Sequence, residues 1–193
     1  MKKITGTFLA VAFALACVSS SDGSETPGDE AAAMQDMMTP GPHHEMLGKL
    51  AGDWTYTSKM WMDPAAPPME SVGTSHMATA MNGLFLTEDV EGNVMGMPWL
   101  GHGTYGFDKG QNKHIGVWYD SFGTMMIMFE GDCTDHCKTV TMTGSYLDPM
   151  SGQPATMKMV TTHTDDDHAV NEMFNVAGGQ EVKMVEVHYT RKK

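Results

Sequence analysis

From residue 52 onward, apolar and polar positions alternate in short runs separated by turn-forming residues. A period of two is the pattern of strands with one face turned to a core. The runs cover 53–61, 72–81, 85–91, 101–107, 113–120, 124–130, 138–147, 155–164, 169–176 and 182–191. Between them stand Asp63-Pro64, Asn82-Gly83, Gly92-Asn93, Asp108-Lys109-Gly110, Ser121-Phe122-Gly123, Asp148-Pro149-Met150-Ser151-Gly152, the triple aspartate 165–167 and Gly178-Gly179, all residue types that favour tight reversals. These links leave no room for crossover helices, so the strands form an antiparallel up-and-down meander. Closing that meander removes both exposed edges. The pattern predicts an all-β, roughly ten-stranded barrel, wide enough to enclose a cavity unless large side chains fill it.

Two helical patches precede the strands. The first, 30–38, is broken by Thr39-Pro40-Gly41-Pro42. In the second, Pro42 suits a first helical turn, and Met46, Leu47 and Leu50 fall on one face. About two turns cannot stand alone, so this short N-terminal helix is expected to plug the open end of the barrel. Gly52 turns the chain from helix into strand and Trp54 delivers a large ring to the interior. Arg191 closes the last strand; if first and last strands meet, it lies over Trp54 as a cation–π lid. Gly52, Trp54 and Arg191 are therefore the expected structural anchors.

The first 16 residues add a leader: Lys2 and Lys3, an apolar run from Phe8 to Ala16, and no acid. Ala14-Leu15-Ala16 before Cys17 fits a simple cleavage or a lipid attached to Cys17. The polar stretch to residue 33 favours the lipoprotein, because it reads as a tether holding a domain at 34–193 off a membrane. The expectation is an exported protein of the bacterial cell envelope facing the periplasm, touching a membrane only through Cys17. The net charge of −12 excludes nucleic acid as a natural partner. Cys133 and Cys137 bracket a hairpin tip, where an oxidising compartment would join them as a disulfide. The alternative is a soft-metal site of Cys133, Cys137 and His136, which needs reduced thiols and a fourth ligand.

Methionine, with 21 residues, is the compositional oddity. It suits an irregular barrel interior, or copper where Met34, Met37, Met38, His43, His44 and Met46 gather. Parity nominates Trp54, Trp99, Trp118, Tyr119, Met126, Met128, Met159 and His163 as the lining of a site for a small hydrophobic or amphipathic molecule. By the same parity His163 points in and His188 out. Asp120, on the face of Trp118 and His114, is the one carboxylate that could serve an enzyme, unless it caps the following turn. Hydrolase, zincin, P-loop and dinucleotide signatures are absent from the sequence, and no catalytic residue, metal or cofactor is assigned.

The string Pro42-x-His44-Glu45-x-Leu47-x-x-Leu50-x-Gly52-x-Trp54 resembles the start of a bacterial family catalogued as domain of unknown function 1579. Asn82-Gly83-x-Phe85-Leu86, Gly101-x-Gly103-x-x-Gly106-Phe107-Asp108, Trp118-x-Asp120-Ser121, Asp148-Pro149-x-x-Gly152 and Tyr189-Thr190-Arg191 are similar to its later landmarks, in order. Phe107 stands where that family usually has Tyr. The resemblance implies a lipocalin-like, calycin-type barrel with no established activity. Neighbouring nitrobindin-like barrels hold haem through a late-strand histidine, which raises haem here by analogy of fold.

Overall fold

Ten strands carry the chain: β1 Gly52–Met60, β2 Met69–Ala80, β3 Phe85–Val94, β4 Met97–Asp108, β5 Lys113–Asp120, β6 Ile127–Thr134, β7 Thr139–Leu147, β8 Pro154–Asp165, β9 His168–Ala177 and β10 Gln180–Arg191. Each pairs antiparallel with its sequence neighbour, and β1 pairs with β10, so the sheet closes into a barrel. This is a computed structural model that describes residues 27–148 and 151–193. The leader at 1–16, Cys17, the tether as far as residue 26, and the turn residues Pro149 and Met150 lie outside the described residues.

The strands fall near where alternation puts them, with displacements. β2 starts three residues early, and β3 and β4 extend to Val94 and from Met97, so Gly92-Asn93, expected as a turn, pairs with Trp99 and Pro98 and the reversal lies at Met95-Gly96. The expected run 124–130 is strand only from Ile127, because Ser121 to Met126 form the β5–β6 connection and Trp118 pairs with Ile127 at the first rung. In β6 the inward positions are Ile127 and Phe129, both buried.

Interior aromatics lie flat on the barrel wall, and glycine makes the room. A Cβ added to Gly73 or Gly92 would stand 2.5 or 2.1 Å from the Tyr56 hydroxyl, and one added to Gly103 would stand 2.7 Å from the Tyr105 ring. Glycines opposite large rings let a strongly curved sheet close without strain. Trp99 and Trp118, with centroids 6.1 Å apart, fill the end of the barrel away from the helices.

Two helices precede the barrel, α1 (Pro27–Met37) and α2 (Pro42–Gly48). Thus α1 begins inside the stretch expected as tether. Among the described residues α1 carries no buried side chain; Lys109 reaches across to it, its Nζ 3.0 Å from Asp36 Oδ1 and 2.7 Å from the Asp36 carbonyl. Because the Asp36 side chain is 72% exposed, Asp36→Ala is expected to change the unfolding free energy by no more than about 0.5 kcal/mol. Urea titration checks this, and a larger loss would mean that α1 is integral to the barrel.

By contrast α2 is seated. His44 is buried and its Nδ1 accepts the Gly41 amide at 3.1 Å, satisfying one of the amides that a helix start leaves open. Leu47 is buried beneath it, and α2 packs on β3 and β4 across the barrel mouth.

Candidate ligand-binding site

The end roofed by α2 holds a cavity of about 80 Å³. Leu47 and Leu50 come down from the roof; Trp54, Leu86, Met142 and Met159 supply apolar walls. The polar groups that reach it are Glu88, Tyr105, Tyr189, His114, His163 and Asn171. At that volume it holds several waters or a molecule of a few heavy atoms, well short of the ~300 Å³ at which drug-sized ligands are held.

The expected lid is in place. Trp54 and Arg191 are paired across β1 and β10, and the guanidinium carbon stands 4.1 Å from the Trp54 ring centroid. Arg191 also donates to the backbone carbonyls of Ala51 and Lys49, each at 2.8 Å, and to Asp166 at 3.1 Å. Lys49 and Ala51 belong to the link from α2 to β1 and Asp166 to the turn between β8 and β9, so one side chain ties roof, first strand and that turn together. Trp54 donates its indole N–H to the Leu50 carbonyl at 2.9 Å. Gly52 is required twice over: its φ is +136°, and a Cβ there would meet the Arg191 guanidinium at 2.7 Å.

One buried polar group of the cavity is one that sequence reading passed over. Glu88 is 4% exposed. It accepts the Ser75 hydroxyl at 2.8 Å and the Tyr105 hydroxyl at 3.3 Å, and Tyr189 is its third donor. Hydrogen bonds to a carboxylate favour the ionised form while burial favours the neutral one. Burial prevails, and the Glu88 pKa is raised. Burial and the neighbouring Glu88 charge also raise Tyr105 and Tyr189 well above the usual range, so both remain donors. Burial moves the histidines the other way: His163 is lowered, and His114, with His43 contributing second, falls to about 4. The cavity therefore offers two neutral imidazoles and a carboxyl held by hydroxyls. The signal for Glu88 was present in Leu86-x-Glu88-x-Val90, an acid at the inward phase of a strand.

Of the parity candidates, Trp54, Met159 and His163 line the cavity. Trp99 and Trp118 point into the barrel but pack below it around Tyr56, Val90 and Val187. The inward assignments of Tyr119, Met126 and Met128 are corrected by the structure: they are 41, 62 and 74% exposed, on the outer face or in the connection before β6. Their neighbours Ile127 and Phe129 take the inward phase. Asp120 does not reach the cavity; its oxygens accept the Trp118 indole N–H at 3.2 Å and the Phe122 amide at 2.9 Å. That is the turn-capping role. His188 is exposed and bonds Glu186 at 2.8 Å.

The six residues considered for copper do not converge. Met34, Met37 and Met38 are exposed on α1 and the link that follows it, Met46 packs on the core, and His44 is committed to the helix cap. The remaining one, His43, is stacked on Phe107 with centroids 3.9 Å apart and faces Cys133 and Cys137. Those cysteines stand with Cα atoms 4.7 Å apart, within the span that a disulfide bridges. His136 is exposed at the turn and outside this group. A haem does not fit: the cavity that His163 lines, at about 80 Å³ under α2, is too small for a macrocycle.

Comparison with known proteins agrees with this architecture. A family model described as "Protein of unknown function (DUF1579)" matches residues 39–191. No curated protein matches the chain. Among solved structures, Rv2717c from M. tuberculosis is similar at 16% identity with a TM-score of 0.61, covering 80% of this chain and 100% of its own. The structure of EF1p2_mFAP2b bound to DFHBI is similar at 12% identity and TM-score 0.43, covering 78% of this chain and 98% of its own.

Proposed function

Because this chain belongs to the DUF1579 family of proteins of unknown function, we propose its role from its own barrel: a binding module that takes a small amphipathic molecule into the roofed cavity. The carrying observation is a roofed, mainly apolar cavity lined by one carboxyl, Glu88, which three hydroxyls hold. Apolar area gives the affinity and the few polar groups fix orientation. A molecule with one donor group matches Glu88, and its size is capped by the roof unless α2 lifts. The leader and Cys17 support export and lipid anchoring, which would place the domain at an envelope membrane. In that oxidising setting Cys133 and Cys137 would be joined, holding the β6–β7 turn.

The test is native mass spectrometry of the purified protein for a co-purifying small molecule, together with titration by benzyl alcohol, an apolar ring with one donor, read by tryptophan fluorescence. Saturable binding that weakens at least about tenfold in Met159→Trp is expected, since the new ring fills the cavity. Absence of any bound molecule together with a fluorescence response equal in both proteins would overturn the reading.

A further inference from the structure

Four metal-binding side chains from three separate elements meet beside the roof. His43 comes from α2, His114 from β5, and Cys133 and Cys137 from the end of β6 and its turn; their donor atoms all lie within 4.8 Å of one another. Nδ1 of His43 is 3.4 Å from Cys137 Sγ and 3.9 Å from Cys133 Sγ, and Nε2 of His114 is 4.0 Å from Cys137 Sγ. We infer that these four residues form a zinc site when both cysteines are reduced. A tetrahedron with ordinary zinc–sulfur and zinc–nitrogen bonds has edges of about 3.3–3.8 Å. Three of the four nitrogen–sulfur separations match it to within a few tenths of an ångström, and the two sulfurs, which stand within bonding distance of each other, have to move apart on reduction to complete it. Two sulfurs and two imidazoles in a closed four-coordinate set select zinc over harder cations.

The surroundings hold the ligands in aim. His43 lies flat on Phe107, at 7° between planes, and His114 meets the same ring edge-on. His114 is 2% exposed. Asp135, His136 and Cys137 all have φ between +53° and +61°, a run of left-handed residues that costs roughly 1–2 kcal/mol each. That turn is what brings the Cys137 sulfur back towards Cys133 and the imidazoles.

The site has two exclusive covalent states. Joined as a disulfide, the cysteines have no thiolate to offer. A thiol reductant of the glutathione class supplies two electrons and two protons, leaves as its own disulfide, and restores both thiols. Zinc then displaces the two thiol protons and binds four protein ligands. The metal would fasten α2 to β5 and β6 across about ninety residues of sequence separation.

The full protein, reduced and then freed of reductant under anaerobic conditions, is titrated with Co2+ and then Zn2+. One equivalent of cobalt with thiolate charge-transfer absorption is expected, displaced by one equivalent of zinc. Cys133→Ser with Cys137→Ser is expected to abolish it, and His43→Ala to weaken zinc at least about tenfold, while His136→Ala leaves it unchanged. Oxidised protein is expected to take up none. His114 is buried and its variant is open to misfolding, so the partly exposed His43 carries the histidine test. Cobalt uptake without thiolate absorption overturns the assignment, as does equal affinity in His43→Ala, equal binding by oxidised protein, or uptake of Cu+ with refusal of Zn2+.

Discussion

Trp54→Ala is expected to lower the unfolding free energy by about 3–5 kcal/mol, the range for removing a fully buried ring. Trp54 is 2% exposed and caps the cavity from the β1 side. For a chain of this length such a loss lowers Tm by roughly 6–20 °C. Arg191→Ala should cost about 2–3 kcal/mol by a different route: three backbone carbonyls lose their donor and the ring loses its cation. Because both residues serve one contact, the double variant should cost about 1 kcal/mol less than the two singles together. Arg191→Lys should recover little, since an ammonium cannot span carbonyls from Lys49, Ala51 and Asp166 at once. Urea unfolding of the wild type and the four variants is the measurement. Strict additivity, or an Arg191→Ala loss under about 0.5 kcal/mol, would show that the lid is not what joins roof to barrel.

That pair was legible because its geometry follows from topology: once first and last strands close the barrel, their ends must meet. The ten strands were legible for a similar reason, since alternation and turn residues are local signals. What failed was phase. Met125 to Phe129 is apolar at every position, so both parities fit it. Only the pairing of Trp118 with Ile127 turns Ile127 and Phe129 inward and leaves Met126 and Met128 outside. Likewise, nothing in the chain links His43 to Cys133 and Cys137; folding α2 across the mouth does. Phe107, noticed as a departure from the resembled family, proves to be the surface on which His43 stacks. Glu88 was missed because acids are presumed to face water, although its phase placed it between Leu86 and Val90.

Glu88 also sets the second large effect, and its sign depends on the replacement. Its pKa is raised on folding by burial, so over the interval above the unfolded carboxyl value, near 4.5, the native state binds more protons than the unfolded one. Stability then falls as pH rises through that interval and levels off once the buried group has also ionised. Glutamine keeps an oxygen for the hydroxyls of Ser75, Tyr105 and Tyr189 but carries no charge. Glu88→Gln is therefore expected to match the wild type below about pH 4 and to exceed it at pH 7, raising Tm there by a few degrees. Leucine removes the charge and the acceptor together. Three hydroxyls would then lack their partner, each costing about 1–3 kcal/mol, so Glu88→Leu should lose about 3 kcal/mol or more at every pH. Thermal unfolding from pH 4 to 8 separates the cases. A Glu88→Gln profile that falls in parallel with the wild type would place the pH dependence on another group. The residue would then be an ordinary hydrogen-bonded member of the core, and its stability cost would no longer point to a retained binding role.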